Sequence, residues 1–377
     1  MSEKLPKGWV KCKIKEIGTV ITGTTPSKNN PEFWGNEILF ITPSDYKNYN
    51  KWCWYSERKL SSRGKDNLIK KLLPSKSILV TCIGSDMGKV VINPFPVITN
   101  QQINSIIIGE KIAHYDFIYY LLLSMSEELK MLGHSGGSAL PILNKSTFKN
   151  LEIEIPESLD EQRAIASVLS SLDDKIDLLH RQNKTLEAMA EALFRKWFIE
   201  EAKEDWEEVK LGDLVKIKSG KGLKKENFVE NGLYSVLGSN GEIGKTNNYL
   251  FDEKLIYTGR VGTLGNVFIS EGKAWLSDNT LVIKPSTDDL FYFVYFFLKS
   301  IRLEDLNVGS TQPLIRQTDL KEIEVVIPGE KFINNFYGFC EIIFSKIKQN
   351  QQQIRTLENL RDTLLPKLIS GEARVKI

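Results

Sequence analysis

The sequence predicts an α+β fold: two similar α/β globules joined by a pair of long antiparallel coiled-coil helices, in an internal pseudo-twofold repeat. Three observations carry this reading. Segments of the 377 residues recur in the same order at steadily falling offsets. Each copy opens with short apolar runs punctuated by Gly, Asn and Pro. Each copy then closes with a sustained heptad pattern.

The repeat begins with Trp9, Ile14, Glu16, Ile17, Val20 and Gly23, which recur 197 residues later as Trp206, Leu211, Asp213, Leu214, Ile217 and Gly220. Ile78-Leu79-Val80-Thr81 with Gly88 and Val90 recurs at offset 177 as Leu255-Ile256-Tyr257-Thr258 with Gly265 and Val267. The drop from 197 to 177 gives the first copy about 20 extra residues before Ile78, expected to form a surface loop. Residues 78–83, 90–92, 255–258 and 266–269 read as strands, and 116–131 and 290–303 as helices. The sheet is expected to be mixed or largely antiparallel.

The heptad segments follow. Ile165, Leu169, Leu172, Ile176, Leu179, Asn183, Leu186, Ala190, Leu193 and Trp197 step by threes and fours. Phe336, Cys340, Ile343, Ile347, Asn350, Ile354, Leu357, Arg361, Leu364 and Leu368 do the same. Ser158 and Glu161 have capping-box spacing at the start of the first helix, and Gly371 is placed to stop the second. Pro366 should kink or end its last turns. Neither helix can hide its stripe alone, so the two are expected to pair, with Asn183, Asn350 and Arg361 fixing register or marking contacts with a further partner. The expected divisions are 1–156, first globule; 157–205, central coiled-coil helix; 206–328, second globule; and 329–377, C-terminal coiled-coil helix.

Composition narrows the function. Net charge is only +2, which excludes a uniformly basic nucleic-acid coat. Charge is partitioned, however: residues 1–156 hold 20 Lys+Arg against 14 Asp+Glu, whereas residues 206–328 hold 15 against 17. A polyanion surface on the second globule must therefore be a local patch, such as residues 216–225. Cys12, Cys53, Cys82 and Cys340 form no CxxC, and three scattered histidines form no metal motif. The first 13 residues contain no apolar signal core, and the most apolar run, 290–298, is about half the ~20 residues of a membrane helix. A cytoplasmic protein with no membrane association is expected.

Catalytic motifs are missing. Gly84-Ser85-Asp86-Met87-Gly88-Lys89 is one residue short of a phosphate-binding loop and lacks its hydroxyl, so it reads as a glycine turn between strands. Asn93-Pro94-Phe95-Pro96 superficially resembles a base-methylation hook, and Glu271-Gly272-Lys273 with Asp252 a nuclease motif. Both fall at the same point of the repeat and read as a hairpin end. The chain is expected not to be an enzyme.

What remains is a set of polar loops. Amides and hydroxyls read base edges, while Lys and Arg hold the backbone. The candidate DNA-binding residues are Thr24, Thr25, Ser27, Lys28, Asn29, Ser85, Lys89, Gln101, Gln102, His134 and Ser135 in the first copy. In the second they are Lys221, Lys224, Lys225, Ser239, Asn240, Lys245, Thr246, Arg260, Thr311 and Gln312. Asn100-Gln101 aligns with Asp278-Asn279, where an amide bracing the turn competes with a base contact. Trp52, Trp54 and Tyr55, in the extra segment, suit packing or base stacking.

The chain also resembles a known family. Glu161-Gln162-Arg163-Ala164-Ile165-Ala166 opens the first helix, and Thr185-Leu186-Glu187-Ala188-Met189-Ala190-Glu191-Ala192-Leu193-Phe194-Arg195-Lys196-Trp197-Phe198 closes it. The second ends in Leu357-Glu358-Asn359-Leu360-Arg361-Asp362-Thr363-Leu364-Leu365-Pro366-Lys367-Leu368-Ile369-Ser370-Gly371. With Thr42-Pro43-Ser44-Asp45 and Gly309-Ser310-Thr311-Gln312-Pro313, these resemble the specificity subunit of type I restriction–modification enzymes. The resemblance implies a non-catalytic, sequence-specific subunit that reads a bipartite asymmetric site in double-stranded DNA, one globule per half-site. It implies methyltransferase subunits that bring S-adenosylmethionine, restriction subunits that use ATP and Mg, and no cofactor on this chain. Phe194, Arg195, Trp197, Phe198 and Lys367, expected to be exposed at helix ends, are the candidate docking residues for modification subunits. The helices would act as a ruler about 50 Å long, implying a non-specific spacer of about five to eight base pairs. An independent DNA-binding regulator and a coiled-coil protein-interaction scaffold are the alternatives.

Overall fold

The structure, a computed structural model, describes residues 5–27, 29–48, 51–134 and 141–376. They form two compact units: Met1–His180 with Gln351–Ile377, and Arg181–Asn350. Each contains one globule and a part of both long helices.

In unit 1 the first strand, Trp9–Lys13, pairs antiparallel with the last, Glu152–Pro156, and so closes the globule. Its central sheet runs Gly18–Thr22, Ile103–Ile108, Ile78–Thr81, Val90–Ile92, all antiparallel. Ile78, Val80 and Ile106 pack toward the helix Tyr115–Ser124, and Leu79, Val91 and Ile103 toward Ile41 and Val97 of a second sheet. Burial on both faces explains why these strands are apolar without alternation. The second sheet runs Trp34–Gly35, Arg58–Leu60, Ile38–Ile41, Val97–Thr99, with the last two parallel.

Unit 2 repeats the plan. Glu207–Lys210 pairs with Glu324–Ile327. The central sheet runs Val215–Ser219, Thr280–Pro285, Leu255–Gly259, Val267–Ser270, beneath the helix Phe291–Ser300. Its second sheet runs Gly241–Thr246, Tyr234–Gly238, Lys273–Leu276, Phe251–Asp252, and again holds one parallel pair. The parallel pairs correspond between the units, but the flanking strands do not.

Four expectations change. The extra residues of copy one are not a simple surface loop: they supply strand Arg58–Leu60, helix Ser62–Asn67 and the buried Lys51 and Cys53. Asn93–Pro96 and Glu271–Lys273 are not hairpin ends, because each joins a central-sheet strand to a strand of the second sheet. The predicted helix 116–131 is two helices, Tyr115–Ser124 and Ser126–His134, broken at Met125, and the predicted helix 290–303 ends at Ser300. Pro366 does not end the second long helix, which continues to Ile369 before Gly371 turns the chain at φ 72°.

The heptad segments form single helices of 37 residues, Leu159–Arg195, and 40 residues, Glu330–Ile369. Ser158 Oγ accepts from Glu161 N at 3.4 Å at the first start. In unit 1 Ile165 and Leu169 pack with Leu368 and Ile369, while Ile176 and Leu179 pack with Ile354, so the helices run antiparallel there. In unit 2 Phe194 packs on Phe336, and Asn350 Nδ2 donates to Gln182 Oε1 at 2.9 Å and Asn183 Oδ1 at 2.8 Å, again antiparallel.

The globule–helix junctions differ chemically. In unit 1 Lys51 binds Asp116 at 2.8 Å and Ser170 at 2.8 Å, and Tyr120 donates to Asp173 at 2.6 Å. Gln162, fully buried, accepts from His114 N and donates to Pro156 O. In unit 2 the polar contacts, Lys254 with Glu341 at 2.7 Å and Lys299 with Glu187 at 2.8 Å, flank an aromatic cluster in which Phe194, Phe198, Phe293, Phe296 and Phe336 are in ring contact.

Candidate nucleic-acid interface

Because neighbouring strands of each central sheet are antiparallel, the end of one strand lies beside the start of the next. Loops distant in sequence therefore emerge together at one end of the sheet. In unit 1 Gly23 N donates to Ile103 O, Thr24 N to Thr99 O and Cys82 N to Gln102 O. Gly84 N donates to Pro141 O, and Thr25 Oγ1 to Gln101 Oε1 at 2.7 Å. Thr24, Thr25, Ser85, Lys89, Gln101 and Gln102 thus belong to one loop cluster, while Ser27 and Asn29 lie further along the first loop and bond each other, Asn29 N donating to Ser27 Oγ at 3.3 Å. His134, exposed, follows Gly133, whose backbone lies against Met87 in the same cluster. Lys28 and Ser135 lie outside the described residues.

Unit 2 builds the same cluster from other side chains. Gly220 N donates to Thr280 O, Lys221 N to Leu276 O, Arg260 N to Asn279 O and Gly262 N to Pro313 O. The hairpin tip carrying Ser239 and Asn240 joins it, because Asn266 Nδ2 donates to Asn240 Oδ1 at 2.9 Å. Lys221, Lys224, Lys225, Asn240, Thr311 and Gln312 are exposed; Ser239 and Arg260 are half-buried. The cluster presents exposed amides and hydroxyls around several cations, which suits base edges and phosphates. Lys89 in unit 1 is ion-paired with Asp86 at 2.6 Å, so its charge is partly neutralised.

Two groups of candidates need correction. Thr246 is 0% exposed, with its Oγ1 accepting from Asn248 N, so it cannot reach a ligand; Lys245 is exposed but sits on strand Gly241–Thr246, beyond the hairpin tip. Phe194 and Phe198 are 3% and 7% exposed and belong to the core of unit 2, not to an open docking face. Trp197 is half-buried, while Arg195 and Lys367 are exposed.

Sequence reasoning missed the residues that shape the loops. Asn307 Oδ1 accepts from Gly309 N and Leu314 N, both at 2.9 Å, and so fixes the loop bearing Thr311 and Gln312. Trp275 Nε1 donates to Lys221 O at 2.7 Å. Asn104 accepts from Thr22 Oγ1 and donates to Leu143 O. An Asn or Trp at a strand end was the only signal available. Asn100 proves to be the brace, exchanging hydrogen bonds with Gln102, whereas Gln101 is exposed.

Gly23 and Gly220 are equivalent in the repeat and stand where each first loop leaves its sheet. A Cβ on Gly23 would lie 2.2 Å from the carbonyl oxygens of Thr99 and Asn100; on Gly220 it would lie 2.2 Å from Ser277 O and 2.4 Å from Leu276 O. Gly23→Ala or Gly220→Ala is therefore expected to cost about 1–3 kcal/mol and to displace the loop, since backbone oxygens cannot yield as a side chain can. Thermal melts and binding to DNA carrying one altered half-site would check this, each variant losing discrimination at one half-site only.

Burial pushes the Cys53 and Cys340 thiols up to about 12 and Cys82 to about 11, which keeps them protonated at neutral pH. Among the described residues no group of three His, Cys, Asp or Glu side chains is placed to hold a metal ion, and no helix is long and apolar enough to cross a membrane.

Known proteins share this organisation. The family described as "Type I restriction modification DNA specificity domain" matches twice, at residues 6–188 and 203–363. The type I restriction enzyme MjaIX specificity subunit of Methanocaldococcus jannaschii is 33% identical, covering 99% of this chain and 95% of that protein. The HindI specificity subunit of Haemophilus influenzae is 40% identical across 40% of this chain and 33% of its own length. The crystal structure of a type I restriction–modification S subunit from M. genitalium, 21% identical, superposes with a TM-score of 0.64 over 97% of each chain and shows the same fold. With the family's domain matched in both halves and a relative aligned along nearly its whole length, the chain belongs to the type I restriction–modification DNA specificity family.

Proposed function

We propose that this chain is the sequence-reading, non-catalytic subunit of a type I restriction–modification assembly. The loop cluster of each unit reads one half of a bipartite, asymmetric site in double-stranded DNA. The observation that carries this is the convergence of separated polar loops at the same end of the same sheet in both units. The central sheets share their strand order, while the loop side chains differ, as two different half-sequences require. Methyl transfer with S-adenosylmethionine is assigned to modification subunits, and cleavage with ATP and Mg to restriction subunits.

Binding should be specific and strongly salt-dependent. Arg260→Ala and Lys221→Ala, if each removes one phosphate contact, should weaken binding to all sequences and lower the slope of log K against log salt by about 0.9 apiece. If Arg260 instead reads a base, discrimination at one position should relax by about 1–3 kcal/mol with little change in slope. Titrations of the full chain with its modification subunits, at several salt concentrations, distinguish these results. No salt dependence at all would reject DNA binding through these clusters.

Docking of modification subunits is assigned to the accessible helix-end residues Arg195, Trp197 and Lys367. Trp197→Ala should reduce co-purification with the modification subunit while leaving unit 2 folded. Phe194→Ala should instead destabilise that unit by about 3–5 kcal/mol, because it empties a core site. Pull-down together with circular dichroism separates the two effects.

A further inference from the structure

We infer that the helix seam is a pairing code: it makes each long helix the partner of the other and disfavours self-pairing of either half of the chain. This inference does not depend on DNA reading. The repeat makes the choice a real one. The two helices are equivalent at an offset of 171, as Thr185-Leu186-Glu187 and Thr356-Leu357-Glu358 show, so a second copy of the first helix carries a stripe of the same period as the second helix.

The polar positions break that equivalence. The repeat matches Leu179 with Asn350 and Asn183 with Ile354. The first helix therefore reads apolar then polar, and the second polar then apolar. Run antiparallel, like meets like: Leu179 shares an apolar cluster with Ile354, and Asn183 accepts from Asn350, which is 1% exposed. If the first helix paired with a copy of itself in this register, Leu179 would face Asn183. If the second did so, Asn350 would face Ile354. The first mismatch sets the half-buried Asn183 against Leu179. The second sets the buried Asn350 against Ile354 and leaves it one amide, Gln353 in the place of Gln182, instead of two.

A charge pair repeats the discrimination. Asp173, 8% exposed, binds Arg361 at 3.0 Å. Their repeat equivalents are Phe344 and Ala190. A self-paired first helix would put Ala190 where Arg361 stands, leaving Asp173 buried without its cation. A self-paired second helix would put Phe344 where Asp173 stands, leaving Arg361 only the carboxylate of its exposed neighbour Asp362. Native pairing alone gives the Asn350 amide nitrogen both of its acceptors and Asp173 its cation.

The test starts from the full chain, with a protease site placed in the exposed stretch 200–205. The purified protein is cut, unfolded, refolded and examined by native mass spectrometry. The expected result is first-half·second-half pairs with no detectable homodimers. The variant N183L/N350L/D173N/R361M, which erases the code while keeping an acceptor for Tyr120, should add both homodimers. A statistical mixture from the unmodified seam, or pairing by the variant as strict as the original, would overturn the inference. The uncut chain supplies a second measurement that needs no refolding of halves. L179N/N183L recreates the mismatched layers within one molecule and should lower the unfolding temperature by several degrees. Adding N350I/I354N realigns the layers and should restore it. An L179N/N183L chain as stable as the original, or no recovery on adding the second exchange, would also overturn the inference.

Discussion

Asp173→Ala is expected to lower the stability of unit 1 by about 3 kcal/mol, the largest loss foreseen for a single polar side chain here. Asp173 is nearly buried and serves two partners: Tyr120 Oη donates to its Oδ2 at 2.6 Å, and Arg361 Nη1 lies 3.0 Å from its Oδ1. Removing the carboxylate takes the acceptor from the Tyr120 hydroxyl and leaves a guanidinium that is only 22% exposed with Asp362 as its one remaining carboxylate. The loss is in desolvated groups left with fewer partners, so deleting both members should cost less than the sum of the single changes. Arg361→Met in the Asp173→Ala background should therefore recover part of the stability. Denaturant titrations of the two single variants and the double variant measure the coupling. Additive losses would mean that the pair contributes nothing beyond its separate contacts. The exposed pair Lys130–Glu127 is the control, where charge removal should change stability by no more than about 1 kcal/mol.

Inserting four residues into both long helices, after His180 and after Gln352, is expected to change the spacing of the DNA site and not its half-sequences. The cut points face each other in the antiparallel register set by Leu179 with Ile354 and Asn183 with Asn350. Four residues lengthen each helix by about 6 Å and turn it by about 40°. B-DNA covers ~6 Å in just under two base pairs and turns by about 60° over them. Rise and rotation thus nearly match, and the preferred spacer should grow by one or two base pairs. A seven-residue insertion keeps the heptad phase better, but adds about 10 Å with a turn of only about −20°, far from the roughly 105° of three base pairs. It should therefore bind DNA poorly at any spacer. Methylation-site mapping with the modification subunits decides between these outcomes. A fixed spacer, or altered half-sequences, would show that the helices are not the ruler.

The docking residues show where a linear reading stops. Phe194, Trp197 and Phe198 all fall near the end of a heptad run, and their spacing does not say which of them turns inward. Phe194 and Phe198 are one helical turn apart and meet Phe293, Phe296 and Phe336, which come from elements about 100 and 140 residues away. Trp197 stands off that line and stays partly open. Thr246 is the same lesson in a strand. A threonine in a polar Lys-Thr-Asn-Asn run looks solvated until the strand pairs and turns it into the sheet.

Architecture was readable from order along the chain, because helix period and repetition are local or one-dimensional properties. Trp9 with Trp206, Gly23 with Gly220, and the two heptad runs were enough for two globules of mixed sheet and two paired helices. The membership of each loop cluster was not readable in that way. Gln101, Ser85 and Thr25 are separated by tens of residues, and the antiparallel order of one sheet brings them together. Nor could sequence rank Asn100 against Gln101, since both are amides in the same turn. Their roles follow from which side chain finds a backbone partner and which finds solvent. Asp173 and Arg361 gained their importance in the same way: burial, set by Tyr120 and the seam around them, turns an ordinary charge pair into one that the fold cannot lose on one side.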